Sequence, residues 1–282
     1  MTTAVIVDVV RTPSGRGKPG GALSDVHPVD LAATTLTALL ERNGLESRQI
    51  DDVLMGCVSQ VGDQATNIAR QVALAAGFDE SVPAATIDRQ CGSSQQAVHF
   101  AAQGIIAGAY DIVIAAGVES MSRVPLGSAG AGGADSEGIQ RRYPEGLVNQ
   151  GVSAELIAAR WGFEREELDS YAAQSHRRAA EAAAAGRFAD AMLPVTTPDG
   201  IVDADETIRP TTTAEQLAAL APAFRTPDLA ERFPGLEWRI TAGTSSPLTD
   251  AASAALIMSE ERAVALGLTP RARFHAFTVV GD

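Results

Sequence analysis

The sequence predicts an α/β protein: a layered mixed sheet with crossover helices, carrying an inserted, partly helical loop subdomain. Two observations lead there. Short runs rich in Val, Ile and Ala without polar alternation recur at 4–10, 52–58, 84–88, 111–117 and 250–258, separated in the first half by segments with apolar residues at helical spacing. Such runs have the composition of strands buried on both faces, and strands alternating with helices imply a parallel or mixed sheet. Between 119 and 248 the alternation gives way to a Gly/Ala/Ser stretch, a long polar helix and a proline-rich segment.

Taken in order, 4–10 (AVIVDVV) is the first strand, and 27–42 (HPVDLAATTLTALLER) a helix with Pro28 near its start and a stop at Asn43-Gly44. Residues 52–58 (DVLMGCV) predict a second strand, 67–76 a helix ending at Gly77, 84–88 a third strand, 93–107 a helix and 111–117 a fourth strand. Residues 127–138 (GSAGAGGADSEG) read as a surface excursion of the kind that covers active sites. A strong helix is expected over 164–185, and 194–238 reads as irregular. The sheet resumes with a strand at 250–258 and a short helix at 259–267, with Ser259 as N-cap and Glu260 and Glu261 in its first turn. A last strand at 272–280 reads as the start of a second half. The domain reading is therefore 1–118 completed by 249–270, an insertion at 119–248, and 271–282 as the beginning of a truncated C-terminal domain.

The 282 residues are 45% hydrophobic and 20% charged, which is enough apolar material for a substantial core. No apolar stretch approaches the roughly 18 to 20 residues of a membrane span, and the N-terminus lacks a signal-peptide pattern, so a cytoplasmic location is expected. A net charge of -13 argues against a nucleic-acid partner. Lys18 is the only lysine, and arginine supplies the other cations, a side chain that grips phosphate through a planar fork. That leaves a phosphorylated small molecule compatible with the charge.

Two cysteines make neither a disulfide framework nor a zinc site, and no metal or redox cofactor is implied. Cys91, in DRQCGSSQQ, falls between a predicted strand and the first turn of a helix, where unpaired N–H groups and the helix dipole stabilise a thiolate nucleophile. The bland reading is a small buried residue. Cys57 belongs to a predicted buried strand and reads as structural. His99 follows Cys91 on the same predicted helix, about 12 Å along its axis, too far to deprotonate it. His27, His176 and His275 belong to no recognisable base motif.

The segment 88–97 (DRQCGSSQQA) resembles the nucleophile motif of the thiolases, the acetyl-CoA C-acyltransferases. Five further segments resemble thiolase segments in the same order and at similar spacing: 9–13 (VVRTP), 62–70 (GDQATNIAR), 116–122 (AGVESMS), 203–209 (DADETIR) and 241–250 (TAGTSSPLTD). The resemblance implies a thiolase-like fold and an acyl group moved between 3-ketoacyl-CoA and CoA in lipid metabolism, through an acyl-cysteine at Cys91. The N–H of Cys91 would also serve the oxyanion. It implies that the insertion binds CoA, a co-substrate and not a cofactor, with Arg209 near the nucleotide phosphates, Leu220, Ala223 and Phe224 along the adenine and pantetheine, and Ser246 at the pantetheine amide. It further implies a homodimer or homotetramer, with the strand at 84–87 satisfied across a two-fold axis.

Three departures stand out: Ser94 where the family usually has Gly, and Asn149 and Gln150 where it usually has His and Met beside the acyl pocket. The Asn-Glu-Ala-Phe, Gly-His-Pro and Cys-x-Gly-Gly segments that supply the family's base and second cysteine do not occur in these 282 residues. An incomplete enzyme is therefore expected. The alternative is a non-catalytic, thiolase-derived CoA-binding or interaction protein; a ketosynthase of the same superfamily is weaker, because the ETIR and TAG segments favour a CoA thiolase.

Overall fold

The structure, a computed structural model, describes residues 2–130 and 136–281. The excursion expected over 127–138 falls partly outside them; of the rest, Ser128–Gly130 is a 3-10 turn and Ser136 caps the helix that follows. The chain divides into two compact units, one of residues 2–130, 189–207 and 248–281, the other of 136–188 and 208–247.

The first unit holds β1 (Ala4–Arg11), β2 (Gly15–Arg16), α1 (Pro28–Asn43), β3 (Asp52–Gly56), α2 (Ile68–Ala75), β4 (Ala84–Ile87), α3 (Ser93–Ile106) and β5 (Ile112–Ser120). The second holds α4 (Glu137–Arg142), α5 (Gln150–Trp161) and α6 (Arg165–Ala184). The hairpin β6 (Val195–Thr197) and β7 (Gly200–Val202) returns to the first unit. The short helices α7 (Ala214–Ala218) and α8 (Pro227–Arg232) belong to the second, before β8 (Thr249–Ser259), α9 (Glu260–Ala265) and β9 (Ala272–Arg273) complete the first.

The main sheet runs β4-β3-β5-β8-β1-β9, with β2 paired to β8. β3 is parallel to both β4 and β5, while β8 is antiparallel to β5 and β1, so the sheet is mixed, as expected. Side-chain alternation divides its core in two. Val53, Met55, Ile112, Ile114, Leu256 and Met258 face α1 and α2 in one apolar cluster; Leu54, Val113, Ala115, Ala255 and Ile257 face α3 in the other. Because both faces are covered, β5 is buried along almost its whole length and reads as a continuous apolar run.

Three readings differ from the structure. Residues 189–207, placed by the sequence within the insertion, pack with the first unit: Arg11 N–H donates to Ala191 O at 2.8 Å, and Val195 is buried in the larger cluster. The strand expected over 272–280 is only Ala272–Arg273. After Phe274 N–H donates to Ala4 O the chain leaves the sheet, and Phe274 and Phe277 stack at 5.7 Å against the α3 cluster, so their apolar content serves packing instead of pairing. The irregular stretch 194–238 contains a hairpin and two short helices.

Candidate active site

Cys91 lies in the connection from β4 to α3, one residue before Gly92, the N-cap of α3. Local hydrogen bonds brace this turn. Asp88 Oδ1 accepts from Gln90 N at 2.7 Å, while Ser93 Oγ accepts from Arg89 N at 2.9 Å and donates to Gln90 O at 2.6 Å. Gln90 itself sits at φ 49°, a left-handed conformation that costs a non-glycine residue about 1 to 3 kcal/mol and persists because the turn over-determines it. The N–H groups of Gly92 and Ser93 are taken by Arg89 O and Gln90 O, and the N-cap supplies no side-chain acceptor, so what the start of α3 offers a negative charge beside it is the positive end of its dipole. Cys91 is exposed, with no side-chain hydrogen bond among the described residues.

Cys57 is the opposite case. It is 1% exposed, packed into the α1/α2 cluster, and its pKa is pushed up to about 12, first by burial and then by the carboxylates of Glu119 and Asp88. A thiol so held stays protonated and unreactive at neutral pH.

The motif segments around the site are joined by polar contacts that spacing alone does not reveal. Buried Gln64 donates to Glu119 Oε1 at 2.7 Å and accepts from Ser120 N at 2.6 Å, and Glu119 also accepts from Val58 and Ser59 N–H. This ties 62–70 and the end of β3 to the end of β5. Asn67 accepts from Thr86 Oγ1 and donates to Ala84 O, anchoring the same loop to β4. Arg11 grips Asp205 through two nitrogens at 2.7 and 2.9 Å, and Glu206 accepts from the N–H groups of Arg16 and Ala22. Burial pushes the Asp205 carboxyl up, but the Arg11 hydrogen bond and charge with the Ser14 N–H more than offset it, so its pKa is lowered. Asp250, fully buried, accepts from Ser122 N at 2.9 Å, and burial raises its pKa.

In the second unit, Leu220, Ala223 and Phe224 follow α7, and Ser246 lies on the loop before β8. The structure brings Leu220 and Ala223 together with 240–243: Ala223 N–H donates to Ile240 O at 2.9 Å, Pro222 bridges to Thr241, and a Cβ on Gly243 would meet Leu220 at 2.8 Å. Phe224 packs on Gly151 of α5 so closely that a Cβ there would lie 2.2 Å from the ring. Ala223, Leu220 and Ser246 are exposed. Arg209 is exposed as well, and its N–H donates to His176 Nδ1 on α6 at 3.2 Å. Burial, then the Arg209 charge, lowers the His176 pKa and favours the neutral ring this bond requires.

Two pins escaped the sequence reading. Glu155 of α5, 0% exposed, accepts from Ile240 N at 2.7 Å and Arg239 N at 2.8 Å, and Arg165 binds Asp169 and the carbonyls of Leu217 and Leu220. A carboxylate in SAELIAAR looks like an exposed helix residue, and only a contact 85 positions away marks it.

A family model described as thiolase, N-terminal domain, matches residues 4–261. The chain belongs to the thiolase family. It is 45% identical to a 3-ketoacyl-CoA thiolase of Cronobacter sakazakii and 44% to one of Serratia proteamaculans, over all of this chain and 71% of each relative. It is 41% identical to a steroid 3-ketoacyl-CoA thiolase of Mycobacterium tuberculosis, over 98% of this chain and 66% of that one. The thiolase match spans the Cys91 turn and every residue singled out in the second unit. Of the thiolase departures, Asn149 is the N-cap of α5, its Oδ1 accepting from Val152 N at 3.0 Å, and Gln150 opens that helix.

The four histidines stand elsewhere. His27 caps α1, His99 meets the Phe277 ring edge-on at 5.3 Å, His176 holds Arg209, and His275 is exposed. Among the described residues no group of three or more His, Cys, Asp or Glu is placed to hold a metal, and no helix is long and apolar enough to cross a membrane.

Proposed function

We propose that this thiolase-family chain transfers an acyl group between a 3-ketoacyl-CoA and CoA, with Cys91 as the acyl acceptor. The observation that carries the reading is the contrast between its two thiols: Cys91 exposed at the start of α3, Cys57 buried and held protonated. In thiolysis the Cys91 thiolate adds to the C3 carbonyl and the C2–C3 bond breaks. Its electron pair goes to C2, which takes a proton and leaves as acetyl-CoA. The thiolate of a second CoA then attacks the acyl-cysteine and releases the shortened acyl-CoA with Cys91 as thiolate. Condensation runs the same steps backwards. The Cys91 N–H serves the oxyanion, a donor typically worth about 10² to 10³ in rate.

In this reading Arg209 meets the nucleotide phosphates, Leu220, Ala223 and Phe224 line the adenine and pantetheine, and Ser246 bonds the pantetheine amide. CoA is co-substrate, and the residues named need no metal. Two unpaired thiols suit a reducing cytoplasm. The edge position of β4 and its half-buried side chains suit a homodimer, or a homotetramer built from it, closing that edge across a two-fold axis; light scattering at two or four times the 282-residue mass is expected, and a monomer would refute it.

A second reading, CoA binding without turnover, draws on the lack of any base hydrogen-bonded to Cys91 among the described residues. Exchange of isotopically labelled CoA between acyl-CoA and free CoA separates the two. Acyl transfer through Cys91 predicts exchange that Cys91→Ala abolishes. Binding with no exchange would support the non-catalytic reading instead.

A further inference from the structure

We infer that Gly56 and Gly117 position the nucleophile turn, acting as a two-residue seat on the sheet for the first turn of α3, and that Gly117 is required because position 94 is serine. Gly56 ends β3, and Gly117 is its register partner on the parallel neighbour β5. Both are buried, and neither has a positive φ, so their backbone is open to any residue and the reason for glycine is space.

The space is filled by α3. A Cβ on Gly56 would lie 2.3 Å from Ser94 N, 2.5 Å from Ser93 C and 2.7 Å from Ser94 Cα. A Cβ on Gly117 would lie 2.7 Å from Ser94 Cβ and 3.3 Å from Ser94 Oγ. The two clashes differ in kind: the first is with helix backbone, the second with the side chain of Ser94. Ser93, between them, is the residue whose hydroxyl braces Arg89 and Gln90, so the depth at which Ser93 and Ser94 seat is passed to Cys91. The proposal rests on the reading of Cys91 as nucleophile for its meaning, while its geometry is read by thiol chemistry alone. Gly56 and Gly117 are positioning residues, acting through Ser93 and Ser94.

The test measures the rate of iodoacetamide alkylation of Cys91 against pH in the folded 282-residue chain, with Cys57 too buried to compete. Wild type, Ser94→Gly, Gly117→Ala, Gly56→Ala and the two doubles with Ser94→Gly are compared, with thermal melts alongside. Gly117→Ala is expected to change the rate about tenfold and move the pH profile, and Ser94→Gly to reduce that change to under about twofold, the coupling contacting residues show. Gly56→Ala is expected to do the same damage in both backgrounds, since glycine at 94 leaves the backbone clash in place. Should Gly117→Ala fail to fold, recovery of folding and reactivity in the double with Ser94→Gly supports the proposal. Equal damage by Gly117→Ala in both backgrounds overturns it, as does misfolding in both or a rate and pH profile unchanged by either glycine variant. Loss of acyl exchange with the alkylation pattern intact would instead count against the acyl-transfer reading.

Discussion

The two regions that hold the candidate residues are built on different principles. Cys91 stands at the end of a sheet whose central strands are buried on both faces, and the helix it precedes is pressed onto glycines in that sheet. The second unit has few buried apolar side chains, with Val152, Ala158, Leu217 and Ile240 chief among them, and its loops are held by single polar groups: Glu155, Arg165 and His176. A nucleophile needs one fixed position, which close packing supplies. The surface proposed for CoA, a long, many-jointed ligand, is served by exposed side chains on a pinned frame.

That contrast predicts where substitutions hurt. Leu256→Ala in β8, fully buried, is expected to cost about 2 to 5 kcal/mol, read as a fall in the denaturant midpoint. A loss of the same order, about 2 to 5 kcal/mol, should follow Glu155→Ala, because the buried Ile240 N–H and the partly buried Arg239 N–H lose their acceptor. Its local consequence, proteolysis within 239–247 and weakened CoA binding, would be absent from Leu256→Ala. By contrast Trp161→Ala, at 59% exposure, should change stability by less than about 0.5 kcal/mol. A large loss there would mean the second unit is packed like the first.

How much of this was legible in the sequence follows the same division. The strands from 4 to 117 and at 250–258 were readable because a strand buried on both faces is apolar throughout, and Cys91 because the switch from strand to helix falls at its position. Helix α5 was not readable as a helix: its N-cap Asn149 and its buried Glu155 draw their meaning from Val152 N–H and from Ile240, and periodicity records neither. The knot of Gln64 with Glu119 spans 55 positions. The strand expected over 272–280 stops at Arg273, because Phe277 turns onto His99 of α3 and stacks with Phe274 instead of continuing the pairing with β1.

Smaller effects sharpen the comparison further. Arg11→Ala should destabilise the first unit by about 1 to 3 kcal/mol near neutral pH, leaving Asp205 with the Ser14 N–H but without its charged partner. Because the Asp205 pKa is lowered in the fold, its contribution is present above the unfolded value near 3.9 and lost as pH falls through the folded one, so the wild-type advantage over Arg11→Ala should shrink in acid. His176 also has a lowered pKa, and its neutral Nδ1 accepts the Arg209 N–H. The support is present above the unfolded value near 6.5 and lost as pH falls through the folded one, so CoA affinity should decline in mild acid, and His176→Ala should flatten that decline. An unchanged profile in His176→Ala would detach His176 from the CoA surface.

Turnover by the 282-residue chain sets a different limit. General acid-base catalysis typically contributes about 10² to 10⁴-fold, and no base is hydrogen-bonded to Cys91 among the described residues. Thiolysis by this chain alone should therefore fall well below the usual enzymatic range of about 1 to 10³ per second, read as loss of acetoacetyl-CoA absorbance. A normal rate would mean that a residue here described as structural acts as the base.

The most direct measurement is intact-mass and peptide-mapped mass spectrometry of the 282-residue chain after incubation with an acyl-CoA. One acyl group, removable by hydroxylamine, is expected on the peptide containing Cys91, with Cys57 unmodified and no adduct in Cys91→Ala. An acyl group on Cys57, or one that survives Cys91→Ala, would contradict Cys91 as the acyl acceptor.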